Sequence, residues 1–118
     1  MQIRVLIVDD EVDFCHLIKT HLSRKGYSVF TAHTLSDGFD CLVDVKPQIL
    51  FLDNNLPDGS GWDAVWKIVE NFPQLIVYLI SAHRNHFNLK EKNRNIFILE
   101  KPLSLATLDA IFNNLRPA

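Results

Sequence analysis

Four short stretches carry the side chains that could do chemistry. They are VDDE with Asp9, Asp10 and Glu11, FLDNN with Asp53, ISA with Ser81, and LEKP with Lys101. Each stands at the end of an apolar run. Carboxylates brought close together cannot all stay ionised without a counter-charge, and their titrations couple. A hard divalent cation resolves that repulsion; Mg²⁺, or Mn²⁺ in its place, takes one or two carboxylates, waters and phosphate oxygens. In such a site Asp53 is the candidate nucleophile, since a carboxylate can form an acyl phosphate. Lys101 can pair a carboxylate and then neutralise a phosphoryl oxygen, while Ser81 donates to another.

Taken singly, each stretch has an ordinary structural role. VDDE suits the acidic first turn of a helix. Asp53 precedes the turn-forming LPDGSG. Ser81 alone is a core-edge hydroxyl and Lys101 alone a solvated cation. Their joint placement is what points to chemistry, so the elements that position them decide the matter.

Apolar runs of strand length recur at IRVLIV (3–8), YSVFTA (27–32), QILFL (48–52), LIVYLI (75–80) and NIFIL (95–99). All but the second are nearly continuous, the pattern of strands covered on both faces of a parallel sheet. YSVFTA alternates as an edge strand does. Between the runs lie helical periods. Phe14, Leu17, Ile18 and Leu22 share a face, closed by Gly26. Leu35, Phe39, Leu42 and Val43 form a second stripe, capped by Ser36 or Thr34, and Pro47 ends the connection. Trp62, Val65, Trp66 and Val69 form a third. Leu105, Leu108, Ile111, Phe112 and Leu115 form the last, begun at Ser104. RNHFNLKEKNRN (84–95) carries only Phe87 and Leu89 as large apolar residues, which predicts a short or frayed fourth helix.

This alternation predicts an α/β fold: a doubly wound, five-stranded parallel sheet with helices on both faces. In such sheets ligands bind beyond the carboxyl ends of the strands, near the topological switch point. With a flavodoxin-like order 2-1-3-4-5, the four loaded strand ends are contiguous and the bland Thr31-Ala32 end is the edge.

The bulk numbers agree with a soluble globular domain. The 118 residues suit one domain, with 47% apolar and 22% charged residues and a net charge of −2. No basic run suggests direct nucleic-acid binding. No apolar stretch approaches the ~20 residues of a spanning helix, and the N-terminus lacks a signal peptide's form. A cytoplasmic domain without membrane contact is expected. Cys15 and Cys41 lack metal or redox spacing and read as small core-side hydrophobes. The five scattered histidines lack a ligand set.

In combination, LIVDDE, FLDNNLPDGSGWD, LISAH and FILEKPLS resemble the markers of the receiver domain of two-component response regulators, over essentially the whole chain. The resemblance implies that Asp53 accepts a phosphoryl group from a sensor histidine kinase or a phosphotransfer protein. It implies that Asp10, Asp53 and the backbone carbonyl of Asn55 bind Mg²⁺ (or Mn²⁺), with Asp9 nearby or acting through water. Ser81 and Lys101 would hold phosphoryl oxygens, the bond before Pro102 is often cis in such domains, and Asn55 and His83 fall where the family tunes phospho-aspartate lifetime. It implies a self-catalysed phosphoacceptor with slow autodephosphorylation rather than an enzyme. An effector domain or a second copy would be its output partner. The chain is expected to be one receiver domain, 1–118, with no effector domain.

The sequence departs from that pattern in three places. Ile98 stands three residues before Lys101, where the family usually has Tyr or Phe; Phe97 should point to the other face of the strand. The segment between Ser81 and Lys101 is about two residues shorter than usual and lacks the Ala-rich fourth helix. Asn54 stands where an apolar residue is common. These departures keep a second function class open, an interaction domain that binds its partner whatever its phosphorylation state. An aspartate-nucleophile phosphatase of the haloacid-dehalogenase kind is less consistent, because Asp9-Asp10-Glu11 is not DxD and no cap insertion exists. A nucleotide-binding domain lacks its Gly-rich loop.

Overall fold

The computed structural model describes residues 2–82 and 95–115. Five parallel strands form the sheet: β1 (Arg4–Val8), β2 (Ser28–Ala32), β3 (Ile49–Asp53), β6 (Ile76–Ser81) and β7 (Ile96–Glu100). Their order is β2-β1-β3-β6-β7, so the alternating run 28–32 is an edge as its pattern predicts. Four helices are described: α1 (Val12–Arg24), α2 (Leu35–Val45), α3 (Gly61–Asn71) and α4 (Leu105–Leu115). A hairpin of two short strands, β4 (Asn55–Leu56) and β5 (Gly59–Ser60), interrupts the path from β3 to α3. The sequence LPDGSG alone predicts a plain turn there.

Strand alternation sorts the core into two layers. Val5, Ile7, Ile49, Phe51, Tyr78 and Ile80 face α1 and α4, where Cys15, Ile18, Leu22, Leu108 and Phe112 meet them. Leu6, Val8, Leu50, Leu52, Val77 and Leu79 face α2 and α3, against Leu42, Val65, Ile68 and Val69. Phe51 is fully buried between Tyr78 and Phe112, with ring centroids at 5.2 and 5.9 Å. Burying one such side chain contributes about 2–3 kcal/mol.

Two residues assigned to core stripes lie outside them. Leu17 is 52% exposed and Val43 63% exposed. Each sits about 100° around its helix from the neighbour that owns the core position, Ile18 and Leu42. The last stripe is α4, with Ser104 Oγ accepting from Thr107 N at 3.1 Å as its cap. Thr34, rather than Ser36, caps α2 by accepting from Asp37 N. Gly26, at φ +95°, ends α1. The short or frayed helix expected over 84–95, and His83 with it, fall almost wholly on residues 83–94, outside the described residues. Among the described residues no helix is long and apolar enough to cross a membrane.

Candidate functional site

Register brings the loaded strand ends together. Val8 lies opposite Leu52, and Asp53 opposite Ile80, which lies opposite Leu99. Asp9 thus leaves β1 level with Asp53 on β3. Asp9, Asp53 and Lys101 continue, two residues on, the parity of Ile7, Phe51 and Leu99, so all three belong to the α1/α4 face. Ligand oxygens of Asp9, Asp10 and Asp53 lie within 4.8 Å of one another. Lys101 reaches in from the opposite side, its Nζ 2.9 Å from Asp53 Oδ1. Asp53 and Asp9 are buried, whereas Asp10 is exposed. Beside them a cavity of about 370 Å³ is lined by Asp9, Glu11, Phe14, Ile80, Lys101, Pro102 and Leu103.

The backbone around each acid is tightly held. Asp9 N donates to Ala32 O at 3.0 Å, and Asp9 Oδ1 accepts from Glu11 N at 2.9 Å. The Asp9 carbonyl accepts from the Cys15 thiol at 3.3 Å and from His33 Nδ1 at 2.9 Å, which puts that imidazole's proton on Nδ1. Burial pushes the Cys15 thiol up to about 12, so it stays a protonated donor. Asn54, the residue after Asp53, makes four bonds. Its N–H donates to Ile80 O at 3.0 Å and its carbonyl accepts from Gly61 N at 2.9 Å. Its Oδ1 accepts from Ser60 Oγ at 2.9 Å and Trp62 N at 3.1 Å. Gly61 has no alternative here: a Cβ would stand 2.6 Å from the Asp53 carbonyl oxygen.

Electrostatically the cluster is short of positive charge, with three carboxylates facing one ammonium. Burial pushes Asp9 up to about 6, and the charges of Asp53 and Glu11 add to it against the Glu11 hydrogen bond and Lys101. Burial also opposes the charge on Lys101, yet its hydrogen bond to Asp53 and the surrounding carboxylates outweigh that and hold it above the usual lysine range. The donor set is all carboxylate oxygen, with no thiolate or imidazole among its members, which suits a hard cation such as Mg²⁺ or Mn²⁺.

Of the residues singled out from sequence, Asp9, Asp10, Asp53 and Lys101 converge. Ser81 is buried at the end of β6, opposite Glu100, and its carbonyl accepts from Lys101 N at 3.0 Å. Asn55 opens β4, two residues past Asp53, and is exposed. The Lys101–Pro102 peptide bond is cis. Ile98 is half-buried and lies opposite Leu79, while Phe97 stacks on Tyr78 at 5.2 Å on the other face.

Four contributors to the site are not evident from the sequence. His33 comes from the bland β2 end and left no signal. Asn54 departs from the family pattern in the sequence, but nothing there points to its bonds with Ser60 and Trp62. Asp58 seats both carboxylate oxygens on the α2 N-terminus, accepting from Leu35 N at 2.8 Å and Ser36 N at 2.9 Å. Phe14, whose spacing predicts a core position, also lines the cavity.

Comparison with known proteins gives a consistent picture. The sequence model of the response regulator receiver domain matches residues 5–113. A CheY-like response regulator receiver domain from Methylobacillus flagellatus is 26% identical, with TM-score 0.82, over 98% of this chain and 100% of that one. A two-component response regulator from Clostridium difficile is 28% identical, with TM-score 0.85, over 97% of this chain and 95% of that one. NtrX from Brucella abortus is 29% identical, with TM-score 0.81, over 97% of this chain but 26% of its own longer chain.

Proposed function

The chain belongs to the response regulator receiver domain family, and from that premise we propose that it is a phosphorylation-controlled signalling module whose acceptor is Asp53. The single observation carrying this reading is the buried Asp53 carboxylate set between Asp9 and Asp10 on one side and Lys101 Nζ, at 2.9 Å, on the other. The donor is a phosphohistidine of a sensor histidine kinase or phosphotransfer protein. A carboxylate oxygen of Asp53 attacks phosphorus, the P–N bond to imidazole breaks as the O–P bond forms, and the imidazole leaves with the electron pair. Lys101 Nζ neutralises the growing charge on a phosphoryl oxygen, and the Ser81 hydroxyl donates to another. Asp10, Asp53 and the Asn55 carbonyl would hold Mg²⁺ or Mn²⁺, with Asp9 beside them or acting through water. That cation supplies charge neutralisation at the phosphoryl oxygens. Hydrolysis of the acyl phosphate by water returns Asp53 and inorganic phosphate, a slow self-dephosphorylation rather than turnover of a substrate.

Ile98 favours a second reading of the output. An aliphatic side chain at that register position has no hydroxyl or ring edge to follow a Ser81 that engages a phosphoryl group. Coupling would then run through other segments, or the domain binds its partner, an effector domain or a second copy, in either state. Intact mass after incubation with Mg²⁺ and a small acyl phosphate tests the main reading. One phosphoryl adduct is expected, lost without Mg²⁺ and in Asp53→Asn; no adduct on folded protein favours the phosphorylation-independent module.

A further inference from the structure

We infer that Asn54 is a positioning residue for the phosphoacceptor turn, and that this polar side chain fixes the direction of the chain between Asp53 and the Asn55 carbonyl. The inference rests on the proposed function for its chemistry and on geometry for its mechanism. Asp53 ends β3, and the chain must leave the sheet, form the β4–β5 hairpin and return as α3 directly beneath it. The return is so close that a Cβ at Gly61 would lie 2.6 Å from the Asp53 carbonyl oxygen and 3.2 Å from Asn54 Cα. An apolar residue at position 54 could still bond through its backbone to Ile80 O and Gly61 N. The side chain adds two bonds that a leucine could not make, one to Ser60 Oγ at 2.9 Å and one to Trp62 N at 3.1 Å.

Ser60 already caps α3 by accepting from Trp62 N at 3.1 Å, so the helix does not depend on Asn54 for its cap. What the Asn54 oxygen adds is a cross-brace over the base of the hairpin. It holds Ser60, the last residue of β5, against the residue that follows the acceptor. Asn55, paired with Ser60 across the hairpin, is thereby fixed relative to Asp53. A side chain that orients cation-facing groups without touching the cation acts as an outer partner of the site. Loss of such partners costs ~10–100-fold in metal affinity or activity.

The test uses the whole chain in three forms besides the parent: Asn54→Leu, which keeps volume without an acceptor; Asn54→Ala, which removes the acceptor and leaves the Ser60 cap of α3 in place; and Asn54→Asp, which keeps the acceptor. Thermal midpoint establishes folding. Calorimetric titration with Mn²⁺ reads the cation site, and amide exchange at Gly61 reads the turn without reference to charge. Asn54→Leu is expected to stay folded, to bind Mn²⁺ about tenfold more weakly or worse, and to exchange faster at Gly61 than the parent; Asn54→Asp should exchange there as the parent does. A folded Asn54→Leu with parental Mn²⁺ affinity and Gly61 exchange overturns the inference. Should Asn54→Leu not fold, Asn54→Ala decides: faster exchange at Gly61 with weaker Mn²⁺ binding supports the brace, and parental values overturn it. A parent that takes no phosphoryl group while Asn54→Leu still weakens Mn²⁺ binding would remove the proposed function and leave the brace standing. A phosphorylated parent with an unaffected variant would remove the brace alone.

Discussion

Lys101 Nζ stands 2.9 Å from Asp53 Oδ1, joining the last loaded strand end to the buried acid at the centre of the sheet. The Asp53 side chain is 2% exposed and that of Lys101 31% exposed, so the pair is shielded on one side and open on the other. Replacing Lys101 by Met should destabilise the cation-free protein by about 1–2 kcal/mol at neutral pH. That is below the ~3–5 kcal/mol of breaking a fully buried pair, because solvent screens the exposed end. Urea unfolding at low ionic strength measures the loss. Phosphorylation should fall as well, since the proposed transfer uses the same ammonium.

Asp9 gives the cation-free protein a pH dependence of known sign. Its pKa rises from 3.8 unfolded to about 6 folded, so between those values the folded state keeps a proton that the unfolded chain has lost. Stability is therefore highest at the acid end and falls as pH rises through about 6, by about 3 kcal/mol at the limit and about 1 kcal/mol between pH 5 and 7. The difference in unfolding free energy between parent and Asp9→Asn, followed over that range, isolates this contribution. Asp9→Asn should be the more stable of the two at pH 7 and should bind Mg²⁺ more weakly.

Gly61→Ala tests the close approach of α3 to the end of β3. The added methyl would meet the Asp53 carbonyl oxygen at 2.6 Å and Leu79 Cδ1 at 3.0 Å, and backbone cannot yield as a side-chain tip can. A loss of about 1–3 kcal/mol is expected, the range for overpacking a filled core. Because the displaced atom belongs to Asp53, Mg²⁺ affinity should drop in the same variant; a stable Gly61→Ala with parental affinity would contradict the tight turn.

Asp58 couples the hairpin to α2. Bonds from the Leu35 and Ser36 amides hold its carboxyl below the usual carboxylate range. Its stabilisation is thus complete above the unfolded value of 3.8 and is lost only as pH falls through the lower folded value. Asp58→Ala should lower the thermal midpoint at neutral pH and speed amide exchange at Leu35 and Ser36. The gap between parent and variant should close in strong acid.

Much of this architecture is legible in the sequence because continuous apolar runs bounded by carboxylates have one good solution. Ile7, Phe51 and Leu99 set a strand parity, and the acids and lysine two residues later inherit it. The Ile98 and Phe97 alternation could be foreseen for the same reason. What could not be foreseen depends on contacts distant in sequence or on helix azimuth. Leu17 and Val43 satisfy a helical stripe by spacing, yet the sheet selects Ile18 and Leu42. His33 reaches the Asp9 carbonyl only because β2 lies beside β1, and Asp58 reaches α2 only because the β4–β5 turn lies beside that helix's N-terminus. Asn54 illustrates the middle case: its identity departed from expectation in the sequence, but its purpose emerged only with Ser60 and Trp62 in place.

The central claim is that the acyl phosphate forms on Asp53 itself. It is tested most directly by treating the Mg²⁺-loaded, phosphodonor-treated protein with borohydride, which reduces an acyl phosphate to the alcohol, and mapping the peptide that spans residues 49–61. Homoserine at position 53, dependent on Mg²⁺ and on phosphodonor, is the predicted result. An unreduced Asp53 beside homoserine at another aspartate, Asp9 or Asp10 included, would contradict the account.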